Sequence, residues 1–134
     1  MTTNEILQLL KVKINEINDI QEVLFVNKES ESSPNMIIQW ENENLEDNEN
    51  FFSEISWYYK LILRTDFTNT ENDVLYFNDL VNEVKEKISK NKTLDWKVTN
   101  IELQNIITDN SDEWSSKRIV TFNLEIKYDI QNVY

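Results

Sequence analysis

Two long stretches of this chain alternate apolar and polar residues. One runs from Arg118 to Ile130 and places Phe122 and Leu124 on one side, with polar residues between them. The other runs from Ile55 to Phe67 with the same alternation. Successive side chains of a strand point to opposite faces of its sheet, so each stretch predicts a long strand with one buried face. We expect these two strands to be the scaffold of an antiparallel sheet.

Two further stretches carry apolar residues at the three- and four-residue spacing of a helix. The first runs from Thr3 to Asn18. It follows Thr2, which stands with Glu5 at the spacing of a capping box. The second runs from Asp73 to Lys90 and ends in lysines that complement the helix dipole. Both patterns predict amphipathic helices with a single apolar stripe.

Shorter apolar segments predict the remaining strands. Glu22 to Asn27 and Asn35 to Trp40 are rich in valine, isoleucine and aromatic residues, which favours a pair of strands. A polar connection from Glu41 to Asn50 is expected after them. The alternation from Trp96 to Ile107 slips by one residue near Thr99, which indicates a strand with a β-bulge.

The predicted order is helix, strand, strand, strand, helix, strand, strand, in one α+β domain over residues 1–134. Each helix has one apolar stripe and the sheet has one apolar face. We therefore expect an antiparallel or mixed sheet of about five strands with both helices packed on one face. The opposite face is either an ordinary solvated surface or a contact between copies of the chain. Its predicted residues are Tyr58, Lys60, Ile62, Arg64, Asn123, Glu125 and Lys127.

The composition excludes several kinds of chemistry, because the chain has no cysteine, no histidine and no glycine. Disulfides, thiolate nucleophiles, histidine relays and zinc sites built from Cys or His are excluded. Glycine-dependent phosphate loops are excluded as well. We expect no enzymatic activity, no cofactor and no metal. The sequence has neither a signal-peptide pattern nor an apolar run long enough to span a membrane, so we expect synthesis in the cytoplasm.

The formal net charge is -12, which disfavours binding to nucleic acid or to an anionic membrane. Seven acidic residues and one lysine lie between Lys28 and Asn50. This segment lacks the ligand spacing and central glycine of an EF-hand loop, so a solvated loop is favoured over a cation site. A carboxylate pair of the glycosidase kind is weakly indicated, since 25 acidic residues will always include some pair. The acidic residues singled out are Glu41, Glu43, Glu46, Asp47 and Glu49.

Four tryptophans are candidates for core packing or for contacts with a partner. Trp57 and Trp96 fall on the apolar sides of their predicted strands, which favours the core. Trp114 lies in a polar turn and is predicted to be an exposed interface residue. Trp40 ends its strand, and its position fits either role.

The ordered pattern as a whole resembles the tail terminator, or tail-completion, proteins of long-tailed phages. The resemblance covers the N-terminal helix, the strand pair, the long strand Trp57 to Phe67, the single helix Asp73 to Lys90 and the closing hairpin. It rests on the order and size of the elements, with no sequence motif.

The resemblance implies a structural virion protein of the tail or neck that forms a homohexameric ring on the last ring of the tail tube. Its implied partners are the tail tube protein and the head–tail connector protein. The family has no catalytic residues to carry over. In such a ring an acidic lumen would repel DNA, so that DNA passes without being bound. Before assembly the chain would be in the host cytoplasm.

Three alternatives remain open from the sequence. One is another neck or connector protein of the same particle. A second is a small α+β ligand-binding or enzymatic domain with an apolar pocket beneath its helices. The third is an acidic inhibitor that imitates nucleic acid.

Overall fold

The fold is α+β, in the order predicted from the sequence. A computed structural model describes residues 2–28, 32–47, 53–66, 70–109 and 117–129. Its elements are α1 (Thr3–Asn15), β1 (Glu22–Leu24), β2 (Asn35–Asp47), β3 (Ser53–Asp66), α2 (Glu71–Lys90), β4 (Asn100–Asp109) and β5 (Lys117–Asp129).

The five strands form one mixed sheet in the order β1-β2-β3-β5-β4. Strand β1 runs parallel to β2, and the other neighbours are antiparallel. The two long alternating stretches pair directly at the centre, with Tyr59 opposite Leu124 and Leu61 opposite Phe122. The predicted central pair is therefore confirmed.

Both helices pack on the same face of the sheet, here called the core face. Apolar residues of the two helices and of all five strands form one cluster there. The helix contribution is Ile6, Leu10, Ile14, Phe77, Leu80, Val84 and Ile88. This gives a two-layer molecule, and the opposite side of the sheet is called the outer face. No helix in the described parts of the chain is both long enough and apolar enough to cross a membrane.

Threonine hydroxyls cap both helices. The Thr2 hydroxyl accepts a hydrogen bond from the Glu5 amide at 3.2 Å, as its spacing predicts. The Thr70 hydroxyl accepts from the Asp73 amide at 3.3 Å, so α2 begins earlier than predicted. Helix α1 ends at Asn15 instead of Asn18, because the chain tightens into a turn there.

The prediction of an acidic loop from Glu41 to Asn50 is wrong for residues 41–47, and residues 48–50 lie outside the described residues. Strand β2 continues to Asp47, with an irregularity between Trp40 and Asn42, and pairs with β3 throughout. Backbone pairing with β3 supplies hydrogen bonds that a polar side-chain pattern does not reveal. Strand β1 is also shorter than predicted, since it ends at Leu24.

The predicted strand beginning at Trp96 is wrong as well. Strand β4 begins at Asn100, and its irregularity lies between Leu103 and Asn105, later than the predicted bulge. The preceding residues form turns instead of a strand. Trp96 is 89% exposed, which contradicts its predicted place in the core, whereas the prediction for Trp57 is confirmed by its burial.

Candidate assembly interface

The charged residues predicted on the outer face have partners within the chain. Lys60 Nζ lies 2.7 Å from a carboxylate oxygen of Glu41. Lys127 Nζ lies 3.3 Å from Glu125, and the side-chain amide of Gln104 donates to Glu125 at 2.9 Å. Because both carboxylates have partners inside the subunit, a second molecule would meet neutral pairs here instead of isolated charges.

Arg64 fixes one end of the outer face. Its Nε donates to Asn35 Oδ1 at 2.7 Å, and its Nη2 donates to the carbonyl oxygen of Lys28 at 2.8 Å. The guanidinium thus ties β3 to β2 and to the segment that follows β1. Its primary role in the subunit is to hold these strands together.

An apolar row crosses the outer face beside the charged pairs. The strand register aligns Leu24, Ile37, Ile62, Thr121 and Ile107 across the five strands. Leu24 and Ile37 are buried, and Ile107 at the β4 edge is exposed. Of the predicted interface residues, Ile62 is therefore the one that belongs to an apolar row.

The acidic residues do not gather into one loop. Glu41 and Glu43 lie on β2 with exposed side chains, and Glu43 accepts a hydrogen bond from Trp57 Nε1 at 2.8 Å. Glu46 and Asp47 also lie in β2, at its C-terminal end. Glu49 and Trp114 lie outside the described residues.

A groove of about 520 Å³ lies between the start of α1 and the middle of β2. It is here called the Trp40 groove. Its walls include Thr3, Leu7, Phe25, Ile38, Trp40 and Glu41. Trp40 is 44% exposed, and Lys11 Nζ lies 5.1 Å from the centre of the Phe25 ring. The walls of the Trp40 groove therefore combine the aromatic residues Phe25 and Trp40 with Glu41 of β2.

The segment between α2 and β4, residues 91–99, is here called the Trp96 turn. Leu94, Asp95 and Trp96 all have positive φ angles, of 44°, 58° and 70°. A left-handed conformation costs a residue with a side chain about 1–2 kcal/mol relative to its ordinary conformations. Strain concentrated in successive residues is a feature that often accompanies function.

Several contacts hold the Trp96 turn against the rest of the domain. Leu94 is 1% exposed and lies in the core cluster. Asp95 forms an ion pair with Lys13 of α1 at 3.2 Å. Within the turn, the Trp96 amide donates to the Thr93 hydroxyl at 3.4 Å. The Trp96 side chain is therefore exposed to solvent on a backbone that these contacts hold in place.

Among the described residues, the gap where the helices meet the sheet is too small for a ligand. The gap lined by Leu10, Ile14, Leu61 and Leu94 has a volume of about 10 Å³. That is about the space of one water molecule, well below the ~300 Å³ at which ligand pockets begin. Among the described residues, no group of three or more acidic side chains is placed to hold a metal ion.

Comparison with known proteins gives no family assignment. The chain matches no protein-family model, and no curated protein matches it significantly. Its function therefore has to be inferred from its own surfaces.

The Trp96 turn was not predicted, because the apolar residues Leu94, Trp96 and Val98 alternate with polar residues as they would in a strand. Left-handed residues are usually signalled by glycine, and this chain has none. The available signal was the polar stretch directly after α2, which favours a turn over a strand.

Proposed function

We propose that this chain is a structural assembly protein of the tail terminator type. It forms a homohexameric ring on the last ring of a phage or phage-like tail tube and joins the tube to the head–tail connector. The role is non-catalytic, and the finished protein resides in the tail or neck of the virion.

The arrangement of the two layers is the observation that carries this proposal. The order of elements agrees with the resemblance, and both helices contribute to the cluster on the core face. The outer face carries an apolar row that ends in exposed Ile107, with the half-buried Ile62 at its centre and two ion pairs to one side of it. The exposed end of this row suits contact with another subunit, since it presents apolar area with few isolated charges. The predicted contact residues remain Tyr58, Lys60, Ile62, Arg64, Glu125 and Lys127, together with Trp114, which lies outside the described residues.

The charge supports passage of DNA without binding. The net charge is -12, and β2 carries the exposed Glu43 together with Glu41, which pairs with Lys60. An acidic lumen repels the phosphate backbone, so DNA slides through instead of adhering. Another neck or connector protein of the same particle would share these features. A ligand-binding domain is less well supported, because the gap beneath the helices is about 10 Å³.

Electron microscopy of tail tubes tests the proposal. Tubes polymerised from the tail tube protein of the same particle are incubated with the full chain and imaged. We expect ring-shaped density at one tube end and arrested growth at that end. The Leu124→Asp variant, which places a carboxylate in the core, is the negative control. Absence of end density with the folded chain would reject the function. A reconstruction with Glu41 and Glu43 on the outside of the ring would reject the acidic lumen.

A further inference from the structure

We propose that the free side of strand β4 binds an extended segment of a partner protein, a segment that carries a basic residue. The segment pairs with the backbone of β4 and adds a strand to the sheet. Such a strand meets the flank of β4 and leaves the outer face open to a neighbouring subunit. The inference goes beyond the proposed ring and does not depend on it.

Strand β4 is the last strand of the sheet, so one of its sides has no neighbour among the described residues. It extends over ten residues, Asn100–Asp109. The backbone N–H and C=O groups on the free side of a strand are spaced to pair with another extended chain. A helix, a nucleic acid or a small molecule does not reproduce this row of donors and acceptors. The backbone therefore identifies the occupant as an extended polypeptide.

Apolar side chains stand at this edge on both faces of the sheet. Ile107 lies on the outer face and is 55% exposed. Leu103 and Ile106 lie on the core face, half-buried against the core cluster. An added strand would cover the flanks of these side chains, and burial of apolar area favours the addition. Residues 105–109 follow the irregularity of β4 and offer the partner a regular stretch of strand.

The charges at this edge favour a basic partner over a second copy of the chain. Strand β4 carries Glu102 and Asp109 and has no lysine or arginine. Glu102 is exposed, and its side chain has no hydrogen bond or ion pair among the described residues. In the described part of a second copy, the strand segments with a free side are β1, residues 38–47 of β2 and β4 itself. All three contain acidic residues and no basic one, so like charges oppose their pairing with β4. A segment with lysine or arginine is selected instead.

The strand register indicates how the partner's side chains are spaced. Glu102 and Ile107 lie opposite Glu125 and Thr121 of β5, which are four positions apart on one face. A strand on the free side of β4 should therefore carry its basic residue about four positions from an apolar residue. An even spacing keeps both side chains on the same face of the added strand.

A nine-residue peptide of this pattern tests the site on the full chain. The peptide has lysine at both ends, valine in the middle and threonine elsewhere, so it presents the spacing in either direction, and threonine favours a strand. Hydrogen–deuterium exchange with mass spectrometry locates the bound peptide. We expect slower exchange in residues 100–109 and no change in residues 41–47. Protection spread over the acidic surface, or none in β4, would overturn the inference.

Substitution of Ile107 supplies a second readout, the affinity for the dye-labelled peptide measured by fluorescence anisotropy. Ile107→Lys should weaken binding by a factor of about ten or more, the scale of a lost interface anchor. Val26→Lys is the matched control, because Val26 is 59% exposed, lies just beyond β1 at the other edge of the sheet and gains the same charge. It should retain the natural affinity. Equal weakening by both substitutions would attribute binding to net charge and overturn the inference.

A second peptide with glutamate in place of both lysines tests the choice of a basic partner. It should bind the natural chain less tightly than the lysine peptide does, and it should bind Glu102→Lys more tightly than the natural chain. Glu83→Lys, at an exposed position of α2, should give no comparable gain. Equal affinities of the natural chain for the two peptides would overturn the basic partner.

The remaining outcomes separate this site from self-association and from the proposed function. Protection of β4 that rises with chain concentration in the absence of peptide would identify a second copy as the occupant and overturn the inference. Peptide binding at β4 by a chain that leaves tail tubes uncapped would reject the proposed function and support this site. Capped tubes without peptide binding would do the reverse.

Discussion

The substitution Leu124→Asp tests the central strand pair, and Asn123→Asp is its matched control. Leu124 is 1% exposed and lies on the core face between Tyr59 and Leu103. Asn123 lies on the outer face, opposite Lys60. The two variants introduce the same carboxyl group at successive positions of one strand. Only the face of the sheet differs between them.

The expected magnitudes follow from burial. Truncating a buried leucine costs about 2–5 kcal/mol. An unsatisfied buried polar group costs about 1–3 kcal/mol more, and a charged one exceeds that. The total is comparable to the stability of an ordinary domain, about 5–15 kcal/mol. We therefore expect Leu124→Asp to be largely unfolded. At the half-buried Asn123 the new carboxylate faces Lys60 but gives up the hydrogen bond that the Asn123 amide donates to Asn105 Oδ1, so the change should stay within about 1.5 kcal/mol.

Urea titration followed by circular dichroism and by tryptophan fluorescence, to which the buried Trp57 contributes, measures both variants. The control should unfold at nearly the same urea concentration as the natural chain, and Leu124→Asp should show little folded signal without urea. Equal midpoints for the two variants would refute the assignment of faces. Glu125→Lys is a poorer control, since Glu125 is only 9% exposed and accepts a hydrogen bond from Gln104.

Three further substitutions test other parts of the structure. Burial raises the pKa of Tyr59, whose hydroxyl donates to the Thr3 carbonyl at 3.0 Å. The neutral Tyr59 phenol therefore stabilises the folded state fully below about pH 10, the ordinary tyrosine pKa. This stabilisation is lost as the pH rises further. Urea titrations at rising pH should show a smaller alkaline loss for Tyr59→Phe, and identical pH profiles would contradict this. Trp96→Gly should raise the free energy of unfolding relative to Trp96→Ala by about 0.5–1 kcal/mol, because glycine relieves the positive φ; a less stable glycine variant would disprove strain there. Thr70→Ala removes the acceptor for the Asp73 amide and should lower stability by about 1 kcal/mol in thermal unfolding, whereas Thr70→Ser should retain it.

The predictable parts of the fold are those in which apolar and polar residues repeat with the regular period of a strand or a helix. Strands β3 and β5 alternate because one face is buried, and this periodicity also placed Trp57 in the core. Helix α2 likewise shows its buried stripe in the sequence. These elements define the sheet centre and the packing of the helices.

The errors lie where backbone pairing or tertiary contacts decide the structure. Residues 41–47 carry a mostly polar sequence and are held in β2 by pairing with β3. The apparent alternation at Trp96 is interrupted by a left-handed turn that depends on the burial of Leu94 and the ion pair of Asp95. Both contacts join residues distant in sequence, so no local pattern predicts them. The outer-face charges lie on the side of the sheet that their alternation predicts, but the burial of Glu125 and the pairing of these charges within the subunit depend on the strand register.

The oligomeric state of the full chain, measured by native mass spectrometry at micromolar concentration, tests the central claim most directly. We expect a closed species of six chains. A natural chain that remains monomeric at every concentration, or that stops at a dimer, would contradict the proposed ring.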